Sequence, residues 1–300
     1  RNVWNGEIST KRFDSSFKLG YVNPNLPFQS LGVQLAYSSH DQNSLYGFRN
    51  YDINQNSFFS NVVYNSIITN TQNKIKFGLN YTSDVYDEIL DRRDVGRKDN
   101  SFGGFFEYSF DNFNNLNFVA GLRYDTHNNM GSFFTPRFHL RYTPLDRFTV
   151  KASYGQGRKI ANIYAENQQM FYSNRSIEIF NSTPENSTYG LNPEKATNYG
   201  LSLDKGFNLF GGQGNFIIDY FKTDFDDKVI IDFEYPGIVQ IYNSLDKKSY
   251  YQSFQAEIIY SINRFNMTTA YKNYDVQISY NDGIKSCLLY TSPSPRDRYG

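Results

Sequence analysis

The 300-residue chain balances 30 basic against 30 acidic side chains, and 18% of it is aromatic, with 27 Phe and 26 Tyr beside a single Trp. Zero net charge gives no electrostatic reason for a nucleic-acid partner, and the lone Cys287 rules out a disulfide framework or a cysteine-rich metal centre. With a mean hydropathy of -0.61 and no apolar run of about 18 residues, a helical membrane span is excluded as well.

The opening RNVWNGEIST lacks the basic, apolar and small-residue order of a secretory signal, so the protein is either cytosolic or the sequence starts inside a longer one. In chain order, about twelve segments read as strands: 12-21, 31-40, 57-69, 73-83, 101-110, 116-126, 134-144, 147-156, 196-207, 214-225, 250-262 and 265-276. Each is close to the roughly 9 to 11 residues that a tilted strand needs to cross a bilayer.

The clearest signal lies between Leu116 and Gly155. Phe118, Ala120, Leu122 and Tyr124 alternate with Asn117, Arg123 and Asp125. The alternation returns in Phe138, Leu140 and Tyr142, and again in Phe148, Val150, Ala152 and Tyr154. A helix would scatter these side chains around its axis, whereas a strand places them all on one face.

The connections decide what that face meets. Short turns at Thr69 to Asn73, Asp111 to Asn115 and Leu145 to Arg147 alternate with long excursions at 84-100, 157-195 and 223-249. A β-sandwich has no reason to sort its links by length, but an up-and-down membrane barrel does, since one rim is narrow and the other carries the binding loops. The expected fold is all-β, an antiparallel up-and-down transmembrane β-barrel with long extracellular loops, whose apolar face meets lipid and whose polar face lines the lumen.

Tyr81, Tyr108, Phe110, Tyr124, Tyr142, Phe148, Tyr154, Phe207 and Tyr260 stand at strand ends, where amphipathic rings favour a membrane interface. On the inferred lumen side, Lys74, Lys76, Arg123, Arg137, Arg141 and Lys151 face Glu107, Asp125, Asp204, Asp219 and Glu257. This mixture suits contact with another polar protein surface better than ion selection.

Two linked stretches carry a family resemblance. FTPRFHLRYTPLDRFTVKASYGQGRKIANIYAE, followed after one long loop by LNPEKATNYGLSLDKGF, resembles the β-barrel of TonB-dependent outer-membrane receptors. The matching positions are Thr135, Pro136 and Arg137, then Gly155, Gly157 and Arg158, then Leu191, Pro193, Glu194, Asn198 and Gly200. In the later SLDKKSYYQSFQAEIIYSI, Phe254 and Gln255 replace the usual Gly-Val or Gly-Ile ahead of Glu257. The richness in Asn, Tyr, Phe, Lys and Ile is similar to receptors from Bacteroidota.

The resemblance implies a barrel of about 22 strands filled by an N-terminal plug, with outer-membrane lipid around it, the TonB complex acting through the plug, and no cofactor. About twelve strands cannot supply that wall, so residues 1-285 are expected to be a partial, incomplete barrel with unpaired edges near 12-21 and 265-276. The end, SCLLYTSPSPRDRYG over residues 286-300, breaks the strand pattern with Pro293 and Pro295 and is expected to be an unstructured, non-native tail.

Several apparent motifs carry little. GQGR at Gly155 to Arg158 neither follows a parallel strand nor opens a helix, so it is no phosphate loop. Asp224, Asp226, Asp227 and Asp232 match no calcium-loop spacing, and His40, His127 and His139 are scattered, with His127 and Met130 the one pair suggesting a soft metal. NSTPENST holds two glycosylation sequons, which mean nothing in a bacterial outer membrane. No catalytic triad or carboxylate pair can be assembled, so no enzyme activity is expected.

The function implied is active uptake of a large scarce solute, such as a ferric siderophore or a corrinoid, with energy coupled through TonB. Ligand contacts are expected from Tyr86 and Arg93 in the earlier loop and from Tyr164, Phe171, Tyr172 and Arg175 in the later one. Two readings stand beside it: a passive porin or adhesin-like barrel, and a soluble carbohydrate-binding β module.

Overall fold

Alternation at period two across the whole chain produces one architecture. A computed structural model describes residues 4-180, 188-244, 249-280 and the backbone of 283-287. In chain order the strands are β1 (Gly6–Val22), β2 (Ser30–Tyr46), β3 (Arg49–Ile68), β4 (Asn70–Leu90), β5 (Arg93–Asp94), β6 (Arg97–Asp111), β7 (Leu116–His127), β8 (Gly131–Leu145) and β9 (Phe148–Lys159). They continue as β10 (Ser176–Ile179), β11 (Glu194–Leu209), β12 (Gly212–Asp226), β13 (Val229–Asp232), β14 (Ile238–Asn243), β15 (Ser249–Ile262), β16 (Phe265–Tyr280) and β17 (Gly283–Cys287). No α-helix occurs among the described residues.

All twelve predicted strands form. They pair antiparallel with their sequence neighbours in the order β1-β2-β3-β4-β6-β7-β8-β9-β11-β12-β15-β16-β17, the up-and-down topology expected. Among the described residues no ladder joins β1 to β16 or β17, so the wall is open. One edge is β1, as predicted, but β16 is covered by β17, so the expected edge at 265-276 moves out by one strand. The expected boundary at residue 285 falls inside β17, and residues 288-300 of the predicted tail lie outside the described residues.

The outer face is apolar. Phe77, Leu79, Tyr81, Phe102, Phe106, Leu122, Tyr124 and Phe134 are all exposed on it, and rings meet at a tilt across strands, with Phe77 and Phe106 centroids 5.2 Å apart and Tyr124 and Phe134 4.8 Å apart. Such a patch is tolerable only against lipid. All nine strand-end aromatics share this face by strand parity, and Tyr108, Phe110, Tyr142, Phe148, Phe207 and Tyr260 lie beside the short turns.

One rim carries tight links. Phe210 and Gly211 connect β11 to β12 with φ of 49° and 79°, the left-handed pair that matches strand twist in a two-residue hairpin. Between β6 and β7, Asn112 Oδ1 accepts the main-chain N–H groups of Asn114, Asn115 and Leu116 at 3.0, 3.0 and 2.9 Å, closing that turn.

The opposite rim is built differently from expectation. The predicted loop 84-100 is mostly strand: β4 runs on to Leu90 and β6 begins at Arg97, leaving β5 to hook back onto β4. An antiparallel neighbour offers every N–H and C=O of a polar segment a partner, so a hairpin can extend where composition suggests a loop. The segment 157-195 and the excursion after β12 contribute β10, β13 and β14, which form a separate three-stranded sheet in the order β10-β14-β13. These strands were not anticipated.

Candidate functional site

Above the apolar band, the inward face of β2, β3 and β4 changes character. Within the band it carries Lys76 and Asn80, while beyond it Tyr46, Tyr51, Ile53, Tyr86 and Leu90 are buried. They are covered by Ile163, Tyr164, Met170, Phe171 and Leu191 from the segment between β9 and β11, and by Val239 and Ile241 of β14. Phe171 is the hinge of this packing, its ring centroid 5.0 Å from Tyr51 and 5.6 Å from Tyr46. Burying such a side chain contributes about 1.5–3 kcal/mol. The result is a folded cap seated on the long rim.

A polar clamp runs through the same interface. Glu88, 1% exposed, accepts hydrogen bonds from Tyr51 Oη at 2.7 Å and Tyr189 Oη at 2.8 Å. Arg97 lies 3.5 Å from Glu88, donates through Nε to Asp99 at 2.9 Å, and stands 3.8 Å over the ring of Tyr86. It also donates to Tyr189 Oη and to Asn162 Oδ1, so one guanidinium joins β4, β6 and the cap. Burial, and then the Glu88 charge, push the Tyr51 and Tyr189 phenols well above the usual value, so both stay neutral donors to the carboxylate. Tyr164 is raised for the same two reasons.

The six predicted ligand residues divide between core and surface. Tyr86, Tyr164 and Phe171 come together, but as parts of the buried cap interface. Tyr172 is 58% exposed, packed edgewise on Trp4 with centroids 6.1 Å apart. Arg93 is exposed in β5. Arg175 Nη1 donates to the Phe233 carbonyl at 2.6 Å, and its own carbonyl accepts from Arg49. Sequence reasoning missed Glu88, Arg97, Tyr51, Tyr189 and Asn162. The available signal was parity, since Glu88 falls on the same strand face as Tyr86 and Leu90, an acid in an otherwise apolar row.

The family-motif residues fall on adjacent strands. Arg137 in β8 pairs with Gly155 in β9, which pairs with Asn198 in β11, and Arg158 pairs with Lys195. Thr135 and Pro136 precede Arg137 in β8, Gly157 faces Ala196, and Arg158 stands 4.7 Å over the Phe133 ring. Leu191 enters the cap core. Past Pro193, Glu194 accepts the N–H of Val229 at 2.9 Å, tying the start of β11 to β13.

Three acids of the run are held by a cation or a phenol: Asp224 by Lys222 at 2.8 Å, Asp227 by Lys195 at 2.9 Å, and Asp232 by Tyr242 at 3.1 Å. His127 Nδ1 accepts the Asn129 N–H at 3.0 Å. Among the described residues no three His, Cys, Asp or Glu side chains converge as metal ligands.

A search of curated proteins gives no match. Solved structures do match in fold. The siderophore receptor PirA from Pseudomonas aeruginosa aligns with a TM-score of 0.63 at 16% identity, over 91% of this chain and 53% of its own. The hemophore receptor HasR from Serratia marcescens, solved with HasA and heme, gives 0.67 at 12%, over 90% and 49%. The alcaligin receptor FauA from Bordetella pertussis gives 0.58 at 15%, over 93% and 48%. The chain thus spans about half the length of these receptors. The model of the TonB dependent receptor-like beta-barrel family matches residues 1-297. An open, lipid-faced, up-and-down wall matched by that model along almost its whole length belongs to the TonB-dependent receptor β-barrel family of the bacterial outer membrane.

Proposed function

We propose that this chain is part of the wall of a receptor that takes up a large, scarce solute across the outer membrane, powered through TonB acting on a plug inside the barrel. The short-turn rim faces the periplasm and the capped rim faces outward. The observation that carries this reading is the cap itself. Loops from between β9 and β11 and between β12 and β15 pack an apolar core and a charged clamp over the inward face of β2 to β4, narrowing the mouth that a passive pore would leave open. PirA, HasR and FauA, by their names, receive siderophore, hemophore with heme, and alcaligin. A ferric siderophore or a heme source is therefore the first class to test, with a corrinoid next. Ligand contacts are assigned to Tyr172 and Arg93, the exposed members of the predicted set, with Tyr86, Tyr164, Phe171 and Arg175 holding the cap that presents them.

The test is uptake by cells carrying the complete receptor, supplied with labelled ferric siderophores, heme or corrinoid in turn, with and without a protonophore. Accumulation of one class that stops when the proton gradient collapses supports the proposal. Uptake of small solutes that ignores the gradient would make the barrel a porin.

A further inference from the structure

His127 is buried, titratable and outside the cap clamp. It ends β7 beyond the apolar band, 8% exposed, between Ser101 of β6 and Gly131 of β8. Its Nδ1 accepts the main-chain N–H of Asn129 at 3.0 Å, which requires an unprotonated nitrogen. Asn129 in turn lays its amide on β6, where Nδ2 donates to Asp99 Oδ1 at 2.6 Å and to the Lys98 carbonyl at 3.2 Å. The other oxygen of Asp99 accepts from Arg97 Nε at 2.9 Å, and Arg97 continues to Glu88, Tyr189 and Asn162. An unbroken chain of polar contacts therefore runs from one imidazole nitrogen to the cap.

The groups around the ring make its protonation consequential. Asp99 of β6, Asp84 of β4 and Asp125 of β7 act on it as anions, and Asp125 already accepts from Arg123 through both oxygens at 2.6 Å. From β8 come only Gly131 and Phe133, with Arg158 of β9 over the Phe133 ring at 4.7 Å, while Lys98 points to the opposite face of β6. Burial lowers the His127 pKa against the raising pull of the three carboxylates. A proton on Nδ1 removes the acceptor that fixes Asn129, and it sets a cation where Asp99 can answer it in place of Arg97. Both effects act on the Asp99–Arg97 contact, through which β6 holds the cap.

We propose that His127 is an acid-sensitive latch: its protonation slackens Asn129 and Asp99, releases Arg97 from its place on β6, and lets the cap lift from the mouth. Because the latched state lowers the pKa, protons bind more readily once the latch is open. Closure is therefore favoured above about 6.5, the ordinary histidine value, and is lost as pH falls through the pKa of the latched state. This regulation rests on the reading of the cap as the cover of a receptor's mouth, but measuring it needs no ligand.

The test is hydrogen exchange on the complete receptor in lipid vesicles, read as protection factors so that the intrinsic pH dependence of exchange drops out. From about pH 7.5 to about pH 5, protection at 160-180 and 188-193 should fall by about tenfold or more, the change that one pKa unit between latched and open states produces. The fall should share its midpoint with that at 128-130. His127→Gln, which keeps a neutral acceptor, should hold the cap protected at both pH values, and Asp99→Asn should keep the response at 128-130 while abolishing it in the cap. Heat-modifiable mobility establishes that each variant is folded, and if either is not, the two wild-type midpoints decide. A wild-type cap equally protected at both pH values, separate midpoints, or an unchanged acid response of the cap in either variant would overturn the latch. Gradient-driven uptake absent at both pH values, with the exchange pattern intact, would instead overturn the receptor reading and leave the latch standing.

Discussion

Arg137 reaches across the whole width of β7 to meet Glu107. The two residues sit on β8 and β6, and the strand between them presents Gly121 at the same register position. A Cβ at Gly121 would lie 3.1 Å from Arg137 Cγ and 3.2 Å from its Nε, so the glycine is the notch through which the arginine passes.

Gly121→Val should therefore impair folding, while Gly155→Val, where an added Cβ meets nothing within 4 Å, should be tolerated. The yield of heat-modifiable barrel from the complete receptor measures the difference. Equal yields would mean that the Arg137 path is not confined.

The cap clamp makes a second prediction. Arg97→Ala strands the Glu88 carboxylate in a site where its side chain is 1% exposed, and removing one partner of a buried pair costs about 3–5 kcal/mol. Hydrogen exchange should rise through 160-180 and 188-193 while the β7 to β9 ladder stays protected. Uniform protection would show that apolar packing alone holds the cap.

Acid should loosen one hairpin. His127, at the far end of β7 beyond the apolar band, has its pKa lowered by burial, against the raising effect of Asp99, Asp84 and Asp125. A base whose folded pKa lies below its unfolded value is protonated more readily when unfolded. Its stabilising contribution is present above the ordinary histidine value of about 6.5 and is lost as pH falls through the folded pKa. Exchange at 128-130 should increase on acidification, and His127→Gln should remove that dependence. Persistence of the same pH profile in the variant would assign it to other groups.

The two faces should respond unequally to charge. Phe118 and Leu140 are direct neighbours across β7 and β8 on the outer face, and Arg at either should destabilise the complete barrel by about 2–4 kcal/mol near the bilayer midplane. Thr149→Arg, on the inner face, should cost less. Urea midpoints in lipid vesicles compare them, and a matching loss at Thr149 would reverse the facing of the wall.

Orientation can be read by labelling. In a background lacking Cys287, Arg92→Cys on the capped rim should react with a membrane-impermeant maleimide on intact cells, and Phe113→Cys on the short-turn rim should not. Labelling of Phe113→Cys alone would invert the topology.

Sequence by itself determined the wall, because strand parity is a local property. Once Phe118, Ala120, Leu122 and Tyr124 alternate with polar residues, one face must meet an apolar medium, and the neighbouring segments repeat the constraint strand by strand. The order of short and long links then selected the up-and-down topology. Tertiary structure alone decided the rest. Whether Tyr164 and Phe171 meet ligand or core depends on Tyr46 and Tyr51, more than 110 positions away, and loop residues carry no periodicity that reveals such a meeting. Glu88 and Arg97 read as loop charges until β4 and β6 extend past the membrane and bring the cap over them.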